Sequence, residues 1–285
     1  MITAGGVATT DPVFTRSEGI NLDECLRCIR SLGRFHALSF ALKLHEPATF
    51  ESLANQLQET YYSARLVPWY QNFMQRLVTI SKEALELGCM EDPDDYTASF
   101  KRDVLTFLDG DIYGMMVELS NARNHYSVFT HGDCWLPNFL FHPQDVRMID
   151  FQMVRCGSPV LDIIMFVYCC TDQTLRMMHY DQLLSTYYQS FSEMLTDLGT
   201  EPQETFPATA LAEELVRFGR FGCGIAVEAI PLSLLDGADV PELDSIEGTD
   251  AVPLEQIMTL RSIKTRYGRR RLLDVFRHAR GCGYI

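Results

Sequence analysis

Positive charge is scarce in this 285-residue sequence: 24 lysines and arginines stand against 38 aspartates and glutamates, a formal net charge of -14. Such a balance repels polyanions, which excludes DNA, RNA and anionic membrane surfaces as default partners. Long apolar runs are also missing. The longest, IIMFVYCC at 163–170, falls far short of the roughly 20 residues that a membrane span needs. The N-terminal stretch MITAGGVATTDPVF has no basic residue ahead of an apolar segment, so no secretory signal is indicated. Cysteine pairing is lacking as well. Nine cysteines, an odd number scattered through the chain, point to buried, reduced thiols in a cytoplasmic setting. Cys25 and Cys28 form a C-x-x-C, but no second pair at zinc spacing follows, and a polar segment stands where a redox motif would have a strand. There is no repeat, no low-complexity tract and no H-E-x-x-H.

What the sequence does contain is an ordinary globular balance, 47% hydrophobic and 22% charged, enough for one large domain or two closely packed ones. Its periodicity is mostly helical. NLDECLRCIRSLGRFHALSFALK places Leu22, Cys25, Leu26, Ile29, Leu32, Phe35 and Leu38 at helical spacing, with Asn21 as N-cap and Glu24 at the capping-box position. Further helices are expected over about 49–63, 68–88, 97–119, 159–169, 173–198, 207–229 and 253–279. The acidic, turn-rich segment DGADVPELDSIEGTD (236–250) reads as a mobile loop. The dense basic run KTRYGRRR, Lys264 to Arg271, reads as a solvated helix face. Phe166, Tyr168, Met177 and Met178 read as core, and His142 as an exposed turn residue. Strand character is confined to YSVFT (126–130), NFLF (138–141) and VRMIDF (146–151), the last two flanking the turn HPQD as a hairpin.

The acids of that strand region carry chemistry. Asp133 is followed five residues later by Asn138 and, after the turn, by Asp150 directly before Phe151: H-G-D-x-x-x-x-N, then D-F-Q. Phosphoryl transfer from ATP needs this layout. One carboxylate must orient the acceptor hydroxyl and take its proton. A second carboxylate and an amide oxygen must hold Mg²⁺ against the phosphates, because hard cations prefer oxygen ligands. Taken singly, Asp133 and Asp150 also fit turn positions, and Asp162 fits the first turn of a helix. A transition-metal site built from His131, Asp133, His142 and Asp150 would leave Asn138 without a role.

HGDCWLPNFLF, IDFQ and GSPVLDI together resemble the kinase-like phosphotransferases that act on small molecules, and within them the ecdysteroid-kinase-like branch, also called CHK kinase-like; LGRFHALS (32–39) is similar to that branch's helix after the hinge. The resemblance implies a protein-kinase-like, mostly α, α+β fold of the aminoglycoside-phosphotransferase type, with a short catalytic hairpin. It implies Asp133 as catalytic base, Asn138 and Asp150 as Mg²⁺ ligands, and supporting roles for His131 and Asp162. The reaction would be ATP-dependent phosphorylation of a hydroxyl on a lipophilic alcohol such as a steroid. Gln152 stands where protein kinases have glycine, which argues against a protein-kinase activation switch.

The nucleotide half of such an enzyme is not visible in the sequence. AGG at 4–6 has no flanking strands or following lysine, Lys43 already lies on the first confident helix, and GRFGCG (219–224) has the wrong spacing for a dinucleotide fingerprint. Residues 1–20 therefore read as a remnant of a hinge or N-terminal segment, and 21–285 as a kinase C-terminal lobe whose N-terminal partner lobe is absent. A truncated enzyme and a non-catalytic kinase-like binding lobe both follow from this. Either would expose an apolar lobe-facing surface prone to self-association.

Overall fold

The first helix begins where its cap chemistry dictates. Asn21 Oδ1 accepts from the Glu24 amide at 3.0 Å, Glu24 returns a bond to the Asn21 amide, and α1 runs Leu22–His45. The computed structural model describes residues 20–143, 145–235 and 259–285. After α1 come α2 (Pro47–Ala54), α3 (Val67–Glu91), α4 (Ala98–Leu108) and α5 (Ile112–Asn121). Four short strands follow: β1 (Val128–Thr130), β2 (Phe139–His142), β3 (Asp145–Met148) and β4 (Arg155–Gly157). The chain then returns to helices: α6 (Val160–Cys170), α7 (Gln173–Asp197), α8 (Pro202–Thr205), α9 (Ala208–Phe218), α10 (Arg220–Ser233) and α11 (Arg266–Gly281). The described residues are thus mostly helical, with two small antiparallel sheets.

Helix α6 is the axis of the core, with nearly every side chain buried. It packs on α10, while α1 lies along α7 and α3 along α11. Gly33 allows the α1–α7 contact. A Cβ there would lie 2.3 Å from Ser190 Oγ and 2.6 Å from the Tyr187 carbonyl oxygen, so any other residue would separate the helices. The buried face of α1 is offset from the one expected: Cys28, His36, Ala37 and Phe40 are buried, and Leu38 is exposed. Lys43 near the end of α1 donates to the carbonyls of His125 and Ser127 at 2.7 and 2.9 Å, and Ser39 Oγ accepts from the Phe129 amide at 2.8 Å. The long helix is thereby fixed to β1.

The expected strand region resolves into two sheets. The hairpin pairs β2 with β3, Phe139 opposite Met148 and His142 opposite Asp145. The start of the expected first strand is not paired, and β1 pairs instead with β4, Thr130 opposite Arg155, a strand the sequence reading did not contain. Three residues of RCG are too short to show any alternation. His142 is exposed, as expected.

Several helix boundaries differ from expectation. The helix expected over 49–63 stops at Ala54, and Glu59 takes over the local backbone by accepting from the amides of Tyr61 and Tyr62, both at 2.9 Å. The one expected over 97–119 is two helices, because Asp111 caps a new start through the Gly114 amide at 2.9 Å. That over 207–229 divides at Gly219. Of the one expected over 253–279, the described part is helical only from Arg266, where Thr265 caps the Gly268 amide. The segment 236–250 and residues 1–19 lie outside the described residues.

The basic run is not simply a solvated face. Arg269, buried, donates to Glu91 and to the carbonyls of Ile263 and Lys264 at 2.9 Å, while Arg266 and Arg270 engage Asp92 and Arg270 also reaches Asp95 at 2.8 Å. Glu91 ends α3 and Asp92 and Asp95 follow it, far away in sequence, so no local pattern revealed the pairing. Met177 and Met178 are exposed at 68% and 69%, against the core placement expected for them, whereas Phe166 and Tyr168 are buried.

Gly33→Ala is expected to lower stability by about 1–3 kcal/mol through overpacking against a backbone carbonyl that cannot rotate away. Denaturant titration measures it, and adding Ser190→Gly should recover only part of the loss because the Tyr187 carbonyl remains.

Candidate active site

β1 delivers the chain into a loop that bends sharply at Gly132. Its φ of 84° is left-handed, and a Cβ there would fall 1.9 Å from the Met153 carbonyl oxygen, so only glycine fits. The bend is held by one buried side chain. The Asp162 carboxylate, in the first turn of α6, accepts from the His131 amide at 2.6 Å and from the Gly132 amide at 2.9 Å. His36 on α1 bonds the same carboxylate at 3.1 Å through Nε2, and its Nδ1 meets the Tyr187 hydroxyl at 2.8 Å. Burial alone would push the Asp162 carboxyl up. The hydrogen bond from His36, then that from the Gly132 amide, outweigh it and hold the carboxyl below its ordinary range.

His131 carries the bracing forward. Its Nε2 donates to the Ile149 carbonyl at 2.9 Å while Nδ1 accepts from the Asp133 amide at 3.2 Å, a pairing that fixes one tautomer. Both ring nitrogens are therefore engaged, which removes His131 from any transition-metal ligand set. The described residues contain no group of three or more histidines, cysteines or acids placed to hold a metal by themselves. Phe151 packs against the His131 ring at 4.5 Å between centroids and against Phe35 at 5.6 Å, so the residue after Asp150 is anchored to α1.

The acids converge at the end of these supports. Asn138 follows Pro137 in a single 3₁₀ turn (Leu136–Asn138), and its Nδ2 donates to the Asp133 carbonyl at 3.0 Å and to Asp133 Oδ2 at 2.9 Å. The amide oxygen is left turned away from Asp133. Asp150 is exposed and left-handed, with φ of 63°, a costly conformation for a non-glycine residue that the Ile149 and Phe151 contacts impose. Burial, set against the Asn138 bond and reinforced by the nearby Asp150 charge, raises the Asp133 carboxyl above its ordinary range. The structure thus brings together Asp133, Asn138 and Asp150, with His131 and Asp162 behind them.

A model of the ecdysteroid kinase-like family matches residues 12–200. The chain belongs to that family. A comparison with curated proteins found no match. Membership places the protein among kinase-like phosphotransferases of small molecules, and the matched span contains each of the five residues just described.

Beside Asp133 the fold leaves a cavity of about 350 Å³, within the range of small-molecule sites. Its walls are mainly apolar, with Trp135, Leu136, Met165, Ile225, Ile230 and Leu232 among them. Sequence reasoning missed three parts of this site. His36 is one; it lies on a buried face of α1 offset from the one the spacing indicated. Tyr61 and Tyr62 are another, because the segment was read as helix. Glu228 is the third, a lone acid inside the apolar run 225–232.

Asp162→Asn places an N–H where the loop needs an acceptor and is expected to cost about 3 kcal/mol at neutral pH. Since folding lowers this carboxyl's pKa, its stabilisation is complete above the unfolded value of about 3.9 and is lost as pH falls through the lower folded value. Denaturant midpoints between pH 7 and pH 3 should therefore fall less steeply on the acid side in Asp162→Asn than in the wild type.

Proposed function

We propose that the protein is an ATP-dependent O-phosphotransferase whose acceptor is a lipophilic alcohol such as a steroid. The observation that supports this most directly is the apolar cavity opening on Asp133, a carboxylate steered by Asn138 and raised toward basicity by burial. Asp133 orients the acceptor hydroxyl and takes its proton. The oxygen forms a bond to the γ-phosphorus of ATP as the bond to the β,γ-bridging oxygen breaks, and that electron pair leaves with ADP. The donor set fits Mg²⁺. Asp150 and the Asn138 amide oxygen are hard oxygen ligands, few enough to suit an ion that keeps several waters and takes the rest of its shell from phosphate. When bound there it would neutralise phosphate charge. The backbone at Asp150 is left-handed and its side chain exposed, and Asp162 and His131 hold the loop so that Asp133 does not need to reorganise.

A second reading is a kinase-like lobe that binds without catalysing. Leu140, Ile149 and Phe151 are 40–51% exposed close to Asp150, an uncovered apolar face suited to docking another lobe, a partner or a second copy. Calorimetry with Mg-ATP separates the two readings. Nucleotide binding at millimolar strength or better supports the enzyme, and its absence together with concentration-dependent association supports the binding lobe.

With Mg-ATP and a panel of steroid alcohols, the wild type should turn over, and Asp133→Asn should lose about 10²- to 10⁴-fold in kcat. Asp150→Asn should instead raise the Mg²⁺ concentration needed for half-maximal rate. Unchanged turnover in Asp133→Asn would refute the assignment of the base.

A further inference from the structure

Among the described residues that line the acceptor cavity, one acidic group stands besides Asp133. Glu228, on α10, is an acid in an apolar helix, and its two carboxylate oxygens are each met by a phenol: Tyr61 donates to Oε1, and Tyr62 donates to Oε2 at 3.0 Å. All three side chains line the cavity together with Asp133. Burial first, then the Glu228 charge, pushes both phenols up, so they keep their protons and remain donors.

The tyrosines are built in place. Glu59 accepts from both of their amides through Oε1, and its Oε2 pairs with Arg155 Nε at 2.7 Å in a buried ion pair. The Arg155 guanidinium lies over the Tyr62 ring, 5.7 Å from its centroid. Arg155 sits on β4, opposite Thr130, one residue before the catalytic loop. The wall that carries the phenols and the loop that carries Asp133 are thus fixed to the same strand.

A carboxylate offers about four lone-pair directions, and the two phenols use one on each oxygen. A ligand's hydrogen-bond donor can take the remainder. We propose that Glu228, set by Tyr61 and Tyr62, is the specificity-determining residue of the acceptor site, selecting alcohols that carry a second hydroxyl on an apolar body. This rests on the reading of the cavity as the acceptor site. A neutral donor suits it better than an ammonium group, because Arg271 also lines the cavity and Arg155 stands behind Tyr62. Burial, with the nearby Asp133 charge added to it, raises the Glu228 carboxyl, so a ligand hydroxyl that meets it also relieves desolvation.

The test is calorimetry without nucleotide, on the full chain, with a steroid 3-monol, a set of diols adding one hydroxyl along the same skeleton, and a matching amino-alcohol. A hydrogen bond to a charged group predicts that at least one diol binds the wild type about 10-fold or more tighter than the monol. That ratio should fall several-fold in Glu228→Gln and collapse to near one in Glu228→Leu. Thermal melts verify that each variant is folded, and Glu228→Gln decides the matter if Glu228→Leu is not. The proposal is overturned if the wild type binds neither class, if no diol gains over the monol, if the gain survives the substitutions, or if the amine outbinds every diol. Turnover with Mg-ATP is scored separately. Selective diol binding without turnover would sustain the role of Glu228 and sink the phosphotransfer reading.

Discussion

The candidate active site depends on one buried carboxylate. Asp162 joins three elements that are far apart in sequence: the loop after β1 through two backbone amides, α1 through His36, and α6 on which it stands. An ionised carboxylate in an apolar core is tolerated only if its lone pairs are met, and here two N–H groups and an imidazole meet them. Without it the left-handed turn at Gly132 would present two amides to the core with no acceptor. The geometry of Asp133 is therefore decided by a residue 29 positions further along the chain.

The same logic extends outward. His36 reaches Tyr187 on α7, and α1 can lie close enough to α7 for this only because position 33 has no side chain. On the other side, the Glu59–Arg155 pair joins the tyrosine segment to β4, which pairs with β1 ahead of the Asp133 loop. Polar groups that would be costly in isolation become positioning devices when each is paired. The apolar cavity then lies between two fixed carboxylates of different kind. Asp133 is steered by an amide and Glu228 by two phenols, so the two can serve different parts of one ligand.

Some of this was legible in the chain. The H-G-D-x-x-x-x-N and D-F-Q spacing marked Asp133, Asn138 and Asp150 because chemistry at a loop and hairpin constrains residues that are near in sequence, and the capping box at Asn21 and Glu24 marked the start of α1 for the same local reason. The C-terminal arginines were misjudged because their partners at 91–95 lie far away, and Met177 and Met178 because helical spacing does not say which face another helix will cover. His36 and Glu228 each had a weak signal, an ionisable group beside apolar residues, and Tyr61 and Tyr62 had none in the polar stretch QETYYSAR, while the partners of all four lay on other elements.

By itself, then, the sequence determined the helical character, the hairpin, Asn138 and Asp150 flanking it and Asp133 in the loop ahead of it, since each follows from hydrogen bonding, spacing and periodicity within a few residues. Tertiary structure alone decided that β1 pairs with β4, that His36 joins Asp162 in holding the loop after β1, and that Glu228 and its phenols share a cavity with Asp133. Those arrangements arise from long-range packing, in which a buried charge selects the partners that satisfy it, and no local pattern records that choice.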